Sequence, residues 1–252
     1  MRFFDVTQRV TAWSDQLCTF NPTVIVAPPR ILRYFAETDL PVNPTRVFSA
    51  AETLDPVDTA ITEAQFGSPL RQIYMATEEL FAVGCRLGNL HLADDSVMFE
   101  YESVGDGLVS PLVTCFQRET QIMARYRMND LLRLATTPCP CRAPLQHVSE
   151  VVGRMDDAFE IDGVLITPDM LRDAVVQADP SINDFRIVQT RTHEVSLTLL
   201  LQCSDDAKAR AFKALAAVFQ NRQLGIKVTV HQKVLPLDPS AKLRRVRAAW
   251  QP

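Results

Sequence analysis

The chain has 252 residues, 47% hydrophobic and 22% charged, with a formal net charge of -4. This suits a globular chain large enough for one big domain or two ordinary ones, and it argues against a general nucleic-acid binder, which would carry a basic surface. No apolar run approaches the ~20 residues that span a bilayer, the start MRFFDVTQRV lacks a signal-peptide core, and six cysteines in so long a chain do not suggest a secreted disulfide scaffold.

The cytoplasm is therefore the expected compartment, with no membrane partner. Val6, Val10, Trp13 and Leu17 recur at helical spacing and predict a first helix that Pro22 ends. Thr23 to Ala27 is a β-branched run, read as a buried strand. Pro29 opens a helix through Glu37, Arg46 to Phe48 is a second strand, and Asp55-Pro56 to Gly67 frames another helix. Gln72 to Tyr74 is a third strand. Strand–helix–strand–helix–strand predicts a parallel sheet with right-handed crossovers. Ligands of such sheets sit beyond the carboxyl ends of the strands. Ser49-Ala50-Ala51-Glu52 and Ala76-Thr77-Glu78 fall there.

From about Val83 to Val152 the rhythm changes. Val97 to Glu102, Leu108 to Thr114, Ile122 to Arg127 and Leu131 to Ala135 read as short strands, with Gly105-Asp106-Gly107 a strong turn. They predict a small antiparallel β subdomain. Beyond GRMDD (153–157), Pro168 to Gln177 is helical and Phe185 to Thr190 and Val195 to Gln202 are strands. Asp205 to Asn221 is a helix with Phe212, Leu215, Ala216 and Phe219 on one face, stopped by Gly225, and Ile226 to Val230 is a strand. The expectation is an α/β chain: a body over residues 1–152 and a C-terminal α+β lid, with a three-stranded sheet and two helices, over 153–252.

Cys85, His91, Cys139 and Cys141 offer three thiolates and an imidazole, a set that suits tetrahedral zinc; Cys-x-Cys is not the commonest ligand spacing, and four unrelated reduced side chains remain the alternative. Cys18, Cys115 and Cys203 sit in apolar settings and read as small hydrophobes. His147, His193 and His231 have no ligand-like neighbours in sequence.

RYRMND (125–130) resembles the Tyr-Arg-x-x-Asp segment of adenylate-forming enzymes, and GRMDD with Ile161 and Gly163 is similar to their Gly-Arg-x-Asp-Asp hinge segment. The Cys-Pro-Cys turn at 139–141 narrows the resemblance to the phenylacetate–CoA ligase branch, which includes deazaflavin-coenzyme synthetases. The resemblance implies ATP-dependent activation of a carboxylic acid, aromatic or similar, as an acyl-AMP, then transfer to CoA or another acceptor. It gives Asp130 the ribose hydroxyls and lets Arg127 hold phosphate oxygens or Asp130 itself. Arg154 would face the nucleotide, with Asp156 as the pivot of a rotating lid. YMATEE (74–79) resembles the family's Tyr-Gly-x-Thr-Glu segment, with Met75 where glycine is usual; Tyr74 would line the nucleotide site, Thr77 would contact phosphate and Glu78 would serve Mg2+. Ala50, Ala51 and Glu52 would lie against adenine and the acyl group. Lys242, in SAKLRRV (240–246), would bridge the acyl carboxylate and the α-phosphate, although alanine replaces the usual glycine before it.

Each feature also has a plain reading: a solvated Glu pair, a structural Arg–Asp pair, a basic tail. One expected element is missing. Such enzymes grip the β- and γ-phosphates with a Gly/Ser/Thr loop whose closely spaced N–H groups need small side chains. None of the 8 glycines stands in such a cluster, and no Gly-x-x-x-x-Gly-Lys occurs. In the family this loop precedes the region matched by MRFFDVTQ. The sequence thus allows either an ATP- or AMP-binding ligase, or a non-catalytic or truncated nucleotide- or acyl-adenylate-binding protein that needs a missing segment or a partner chain; a homodimer is also open.

Overall fold

The computed structural model describes residues 1–77, 79–117, 119–236 and 242–249. Glu78, Ser240 and Ala241, singled out in the sequence, lie outside them. The chain divides into two compact units, Met1–Val151 with Leu237–Leu243, and Val152–Pro236 with Arg244–Pro252.

In the first unit, α1 (Ser14–Phe20), β1 (Val24–Ala27), α2 (Pro29–Glu37), β2 (Arg46–Ala50), α3 (Pro56–Phe66) and β3 (Leu70–Met75) alternate as the sequence implies. The pairs β1–β2 and β2–β3 are parallel. Buried Ile25, Val47 and Leu70 pack with Ile31, Leu32 and Phe35 of α2 and with Trp13 and Leu17. Gly67 caps α3 with φ 61, a left-handed turn that glycine takes without steric cost.

Two expectations need correction here. The first helix is a 3-10 turn over Val10–Ala12 followed by α1, so Val6 precedes both. Strand β1 is not buried on both faces. It ends the hydrogen-bonded strand order, and its burial alternates, leaving Val24 and Val26 exposed while Ile25 faces the helices. β-branching signalled the strand; it could not signal the covered face.

The remaining strands of the unit are β4 (Leu80–Gly84), β5 (Leu90–Leu92), β6 (Val97–Gly105), β7 (Leu108–Cys115), β8 (Met123–Arg127), β9 (Asp130–Leu134) and β10 (His147–Arg154). They form no separate subdomain sheet. They continue the ladder of β1–β3 in one ten-stranded sheet, ordered β1-β2-β3-β4-β5-β10-β9-β7-β6, with β8 also on β7. The sense changes at β3, which is parallel to β2 and antiparallel to β4. The sequence does not predict three of these strands: β4 (LFAVG) is a short apolar run without alternation, β5 has three residues, and β10 carries His147, Ser149, Glu150 and Gly153.

In the second unit a hairpin, β11 (Phe159–Ile161) and β12 (Val164–Ile166), precedes α4 (Pro168–Ala178), β13 (Phe185–Arg191), β14 (Glu194–Leu200), α5 (Asp205–Gln220), β15 (Lys227–Lys233) and β16 (Val246–Ala248). The hairpin turns on Asp162 (φ 51) and Gly163 (φ 77), an Asp-Gly signal that was legible and unused. Strand order is β15-β14-β13-β16, so the sheet has four strands rather than three. The fourth comes from the basic run, because Arg245 is buried and donates through Nε to Asp184 Oδ1 at 2.9 Å, where Arg186 also donates at 2.6 Å. Ser204 caps α5 by accepting from the Ala207 N–H, and Ala207, Ala211, Leu215 and Phe219 form its buried stripe. Phe212 is exposed. The helix ends before Gly225, and Gln223 takes the left-handed turn (φ 60).

Breaking a buried pair strands its partner, so Asp184→Ala should cost about 3–5 kcal/mol of unfolding free energy in urea titrations. A second prediction concerns acid. Hydrogen bonds from Ser181, then the Arg210 guanidinium, hold Asp179 down to about 2. The folded value lies below the unfolded one. Its stabilisation is therefore complete above about pH 4 and lost as pH falls through about 2. Asp179→Asn should flatten the stability–pH curve across that window.

Candidate functional site

The carboxyl ends of the parallel strands carry the first group of residues. Ala50 ends β2 opposite Ile73 of β3. Ala51 follows, exposed and left-handed with φ 70, unusual for a residue with a Cβ. Glu52 does not face solvent: its side chain is 3% exposed and ion-paired with Arg30. On the next strand Tyr74 donates its hydroxyl to Asp130 Oδ2 at 2.8 Å. Thr77 follows β3 on an exposed turn in which the Ala76 N–H bonds the Glu79 carbonyl. One pairing and one hydrogen bond thus join Ala50–Ala51, Tyr74–Thr77 and Asp130.

Arg127 does not join Asp130. It ends β8 opposite Leu112, whereas β9 is registered through Leu132 opposite Val109. Adjacent parities on β7 face opposite sides, so the two side chains leave on opposite faces. Arg127 pairs with Glu102 at 2.5 Å and is exposed. The Arg–Asp spacing in RYRMND suggested proximity, and the break between β8 and β9 removes it.

In the second unit Arg154 is exposed and contacts Asp156 at 3.4 Å. Asp157, buried, takes both arms of Arg244; no sequence motif marked this pair. Lys242, which groups with the first unit, is exposed and has no hydrogen bond or ion pair among the described residues.

The second group is metal-like. Cys85 follows β4, His91 lies in β5, and Cys139 and Cys141 sit between β9 and β10. Their four ligand atoms lie within 4.8 Å of one another, with Cys85 Sγ to Cys139 Sγ at 4.0 Å and Cys141 Sγ to His91 Nε2 at 3.3 Å. Tetrahedral zinc with ordinary bond lengths needs separations of about 3.6–3.8 Å. His91 Nδ1 meets the Leu145 carbonyl at 3.2 Å, a contact that fixes the tautomer with Nε2 free to ligate. The Asn89 amide donates to Cys139 Sγ at 3.1 Å, and the Leu87 and Ala143 N–H groups reach Cys85 Sγ and Cys141 Sγ at 3.4 Å. Burial raises the Cys139 thiol, but the Cys141 N–H, Asn89 and His91 bring it down to about 6. The donors present therefore fit a divalent metal. His147, given no role from sequence, lies opposite His91 with ring centroids 5.4 Å apart.

No protein-family model matches the chain. Protein CapK of Staphylococcus aureus is 22% identical over 223 residues, 85% of this chain and 49% of CapK, so the chain spans about half that relative's length. Among solved structures, a 2-hydroxyisobutyryl-CoA ligase in complex with R3-HIB-AMP superposes with TM-score 0.73 at 20% identity, covering 93% of this chain and 56% of the ligase. An anthranilate CoA ligase in complex with anthranoyl-AMP gives TM-score 0.62 at 12% identity, over 91% and 50%. At these identities the likeness establishes the fold. The chain has part of the fold of adenylate-forming ligases.

The Tyr74–Asp130 bond yields a prediction free of ligand. Tyr74→Phe should destabilise the chain by about 1.5–3 kcal/mol in denaturant unfolding, the usual net value of a hydrogen bond to a charged group.

Proposed function

We propose that the chain is an adenylate-forming ligase-like protein of the phenylacetate–CoA ligase type. In the reaction proposed, a carboxylate oxygen of an aromatic or similar acid attacks the α-phosphorus of ATP, and pyrophosphate leaves. The thiol of CoA, or another acceptor, then attacks the acyl carbon and AMP leaves. The observation that carries this reading is Asp130 held by Tyr74 beside the ends of β2 and β3, on a fold shared with ligases solved with acyl-AMP.

In this reading Asp130 accepts from the ribose hydroxyls, a role for an acceptor-only carboxylate. The small side chains of Ala50 and Ala51 let adenine approach the backbone. Thr77 donates to phosphate, and Glu78 serves Mg2+. Lys242 brings a compact positive charge to the oxygens where negative charge accumulates. Arg154 contacts the nucleotide. Asp156 is the pivot of a lid that runs from residue 153 onward. Arg127, tied to Glu102 on the face of the sheet opposite Asp130, is left out of this assignment.

Nothing in the 252 residues offers a Gly/Ser/Thr phosphate loop. The chain alone should therefore bind AMP or an acyl-adenylate in preference to ATP, and adenylate poorly. The second reading, a nucleotide- or acyl-adenylate-binding protein completed by another segment or chain, rests on that same observation. Calorimetry with AMP and with ATP plus Mg2+ tests it, and Asp130→Ala should weaken AMP by at least about tenfold. Clearly tighter ATP binding, with pyrophosphate exchange at an enzymatic rate, would overturn the AMP preference.

We also propose structural zinc on Cys85, His91, Cys139 and Cys141. When bound, zinc would tie the β4–β5 turn to the β9–β10 loop. Chain purified without chelator should carry about one zinc, and Cys139→Ser should lower both metal content and Tm, since metal binding is coupled to folding. Well-folded protein free of metal would contradict this.

A further inference from the structure

We infer that Arg30 is a positioning residue for the rim at the end of β2, a role no sequence motif assigned. The inference rests on the nucleotide reading of that rim. Arg30 is the second residue of α2 and 8% exposed; the Glu52 side chain it pairs with is 3% exposed. A guanidinium at a helix N-terminus is opposed by the helix dipole, so it needs an acidic partner there. Buried ion pairs add little net stability against an apolar substitute, and their best-attested use is to fix one arrangement among several.

What this pair fixes is Ala51. Ala50 is held on one side by the β2–β3 ladder opposite Ile73. Glu52 is held on the other side by Arg30. Between these points Ala51 keeps φ 70, a conformation that persists in a residue with a Cβ only where its surroundings over-determine it. Ala51 is exposed while Glu52 is not, so the loop offers solvent its backbone and a methyl group and turns its charge inward. A flat ring can lie on such a surface without meeting a carboxylate. Glu52 therefore acts from beneath the rim rather than by touching the ligand.

The test uses the full chain with Arg30→Met, alone and combined with Ala51→Gly. Two quantities are read: hydrogen exchange of the amides at 51–53 and AMP affinity by calorimetry. Arg30→Met should speed that exchange by about tenfold and weaken AMP by about tenfold. Adding Ala51→Gly should recover much of the AMP affinity without restoring Tm, because glycine takes the left-handed conformation unaided. Unchanged exchange, or no rescue by glycine, overturns the inference; under a generally structural role the double variant would stay low in both affinity and Tm. Should Arg30→Met not fold, Arg30→Lys, which keeps the charge and loses the fork, serves both readouts. If the wild-type chain binds no AMP, the nucleotide reading fails separately. The exchange result then decides on its own whether Arg30 holds the loop.

Discussion

The first unit depends on β3. This strand is hydrogen-bonded parallel to β2 on one side and antiparallel to β4 on the other. Helix-connected parallel strands and hairpin-connected antiparallel ones, built from sequence stretches with different periodicities, thereby become one sheet. The switch has a local consequence. The carboxyl end of β3 faces the loop after β2, and Tyr74 near that end reaches Asp130 at the start of β9. Residues more than 50 positions apart share a site because one strand serves both halves of the sheet.

The alternation of strands and helices before β3 was legible because proline and glycine punctuate it: Pro29 and Pro56 at helix starts, Gly67 at a helix end. The later strands were legible where β-branched and aromatic residues ran together, as in β6 and β7, and illegible in β5 and β10, where length or polarity hides the period. That the later strands join the sheet of β1–β3 was not legible. Pairing between β5 and β10 joins segments more than 50 residues apart, and no local propensity encodes it.

The candidate sites divide in the same way. Cys85, His91, Cys139 and Cys141 were readable as donors, and the fold brings them within 4.8 Å. Asn89 and the N–H groups around the sulfurs could not be read, since they depend on loop geometry. Arg127 and Asp130 were readable as a pair and are separated by strand parity. Arg30, Glu52, the exposed Arg244 on buried Asp157, and the buried Arg245–Asp184 pair show why charge runs mislead. Part of the basic tail runs into the edge strand β16 and is anchored by buried acids. A buried charge leaves no sequence mark different from a solvated one; only its partner, distant in the chain, distinguishes it.

The central claim is that the rim joining β2, β3 and Asp130 receives a nucleotide. The most direct measurement is the position of AMP in a crystal of this chain grown with it. A site built as described puts the ribose hydroxyls within hydrogen-bonding distance of Asp130 and the adenine against Ala50 and Ala51. AMP bound elsewhere on the chain, with Asp130 and Tyr74 still joined and untouched by ligand, would contradict it.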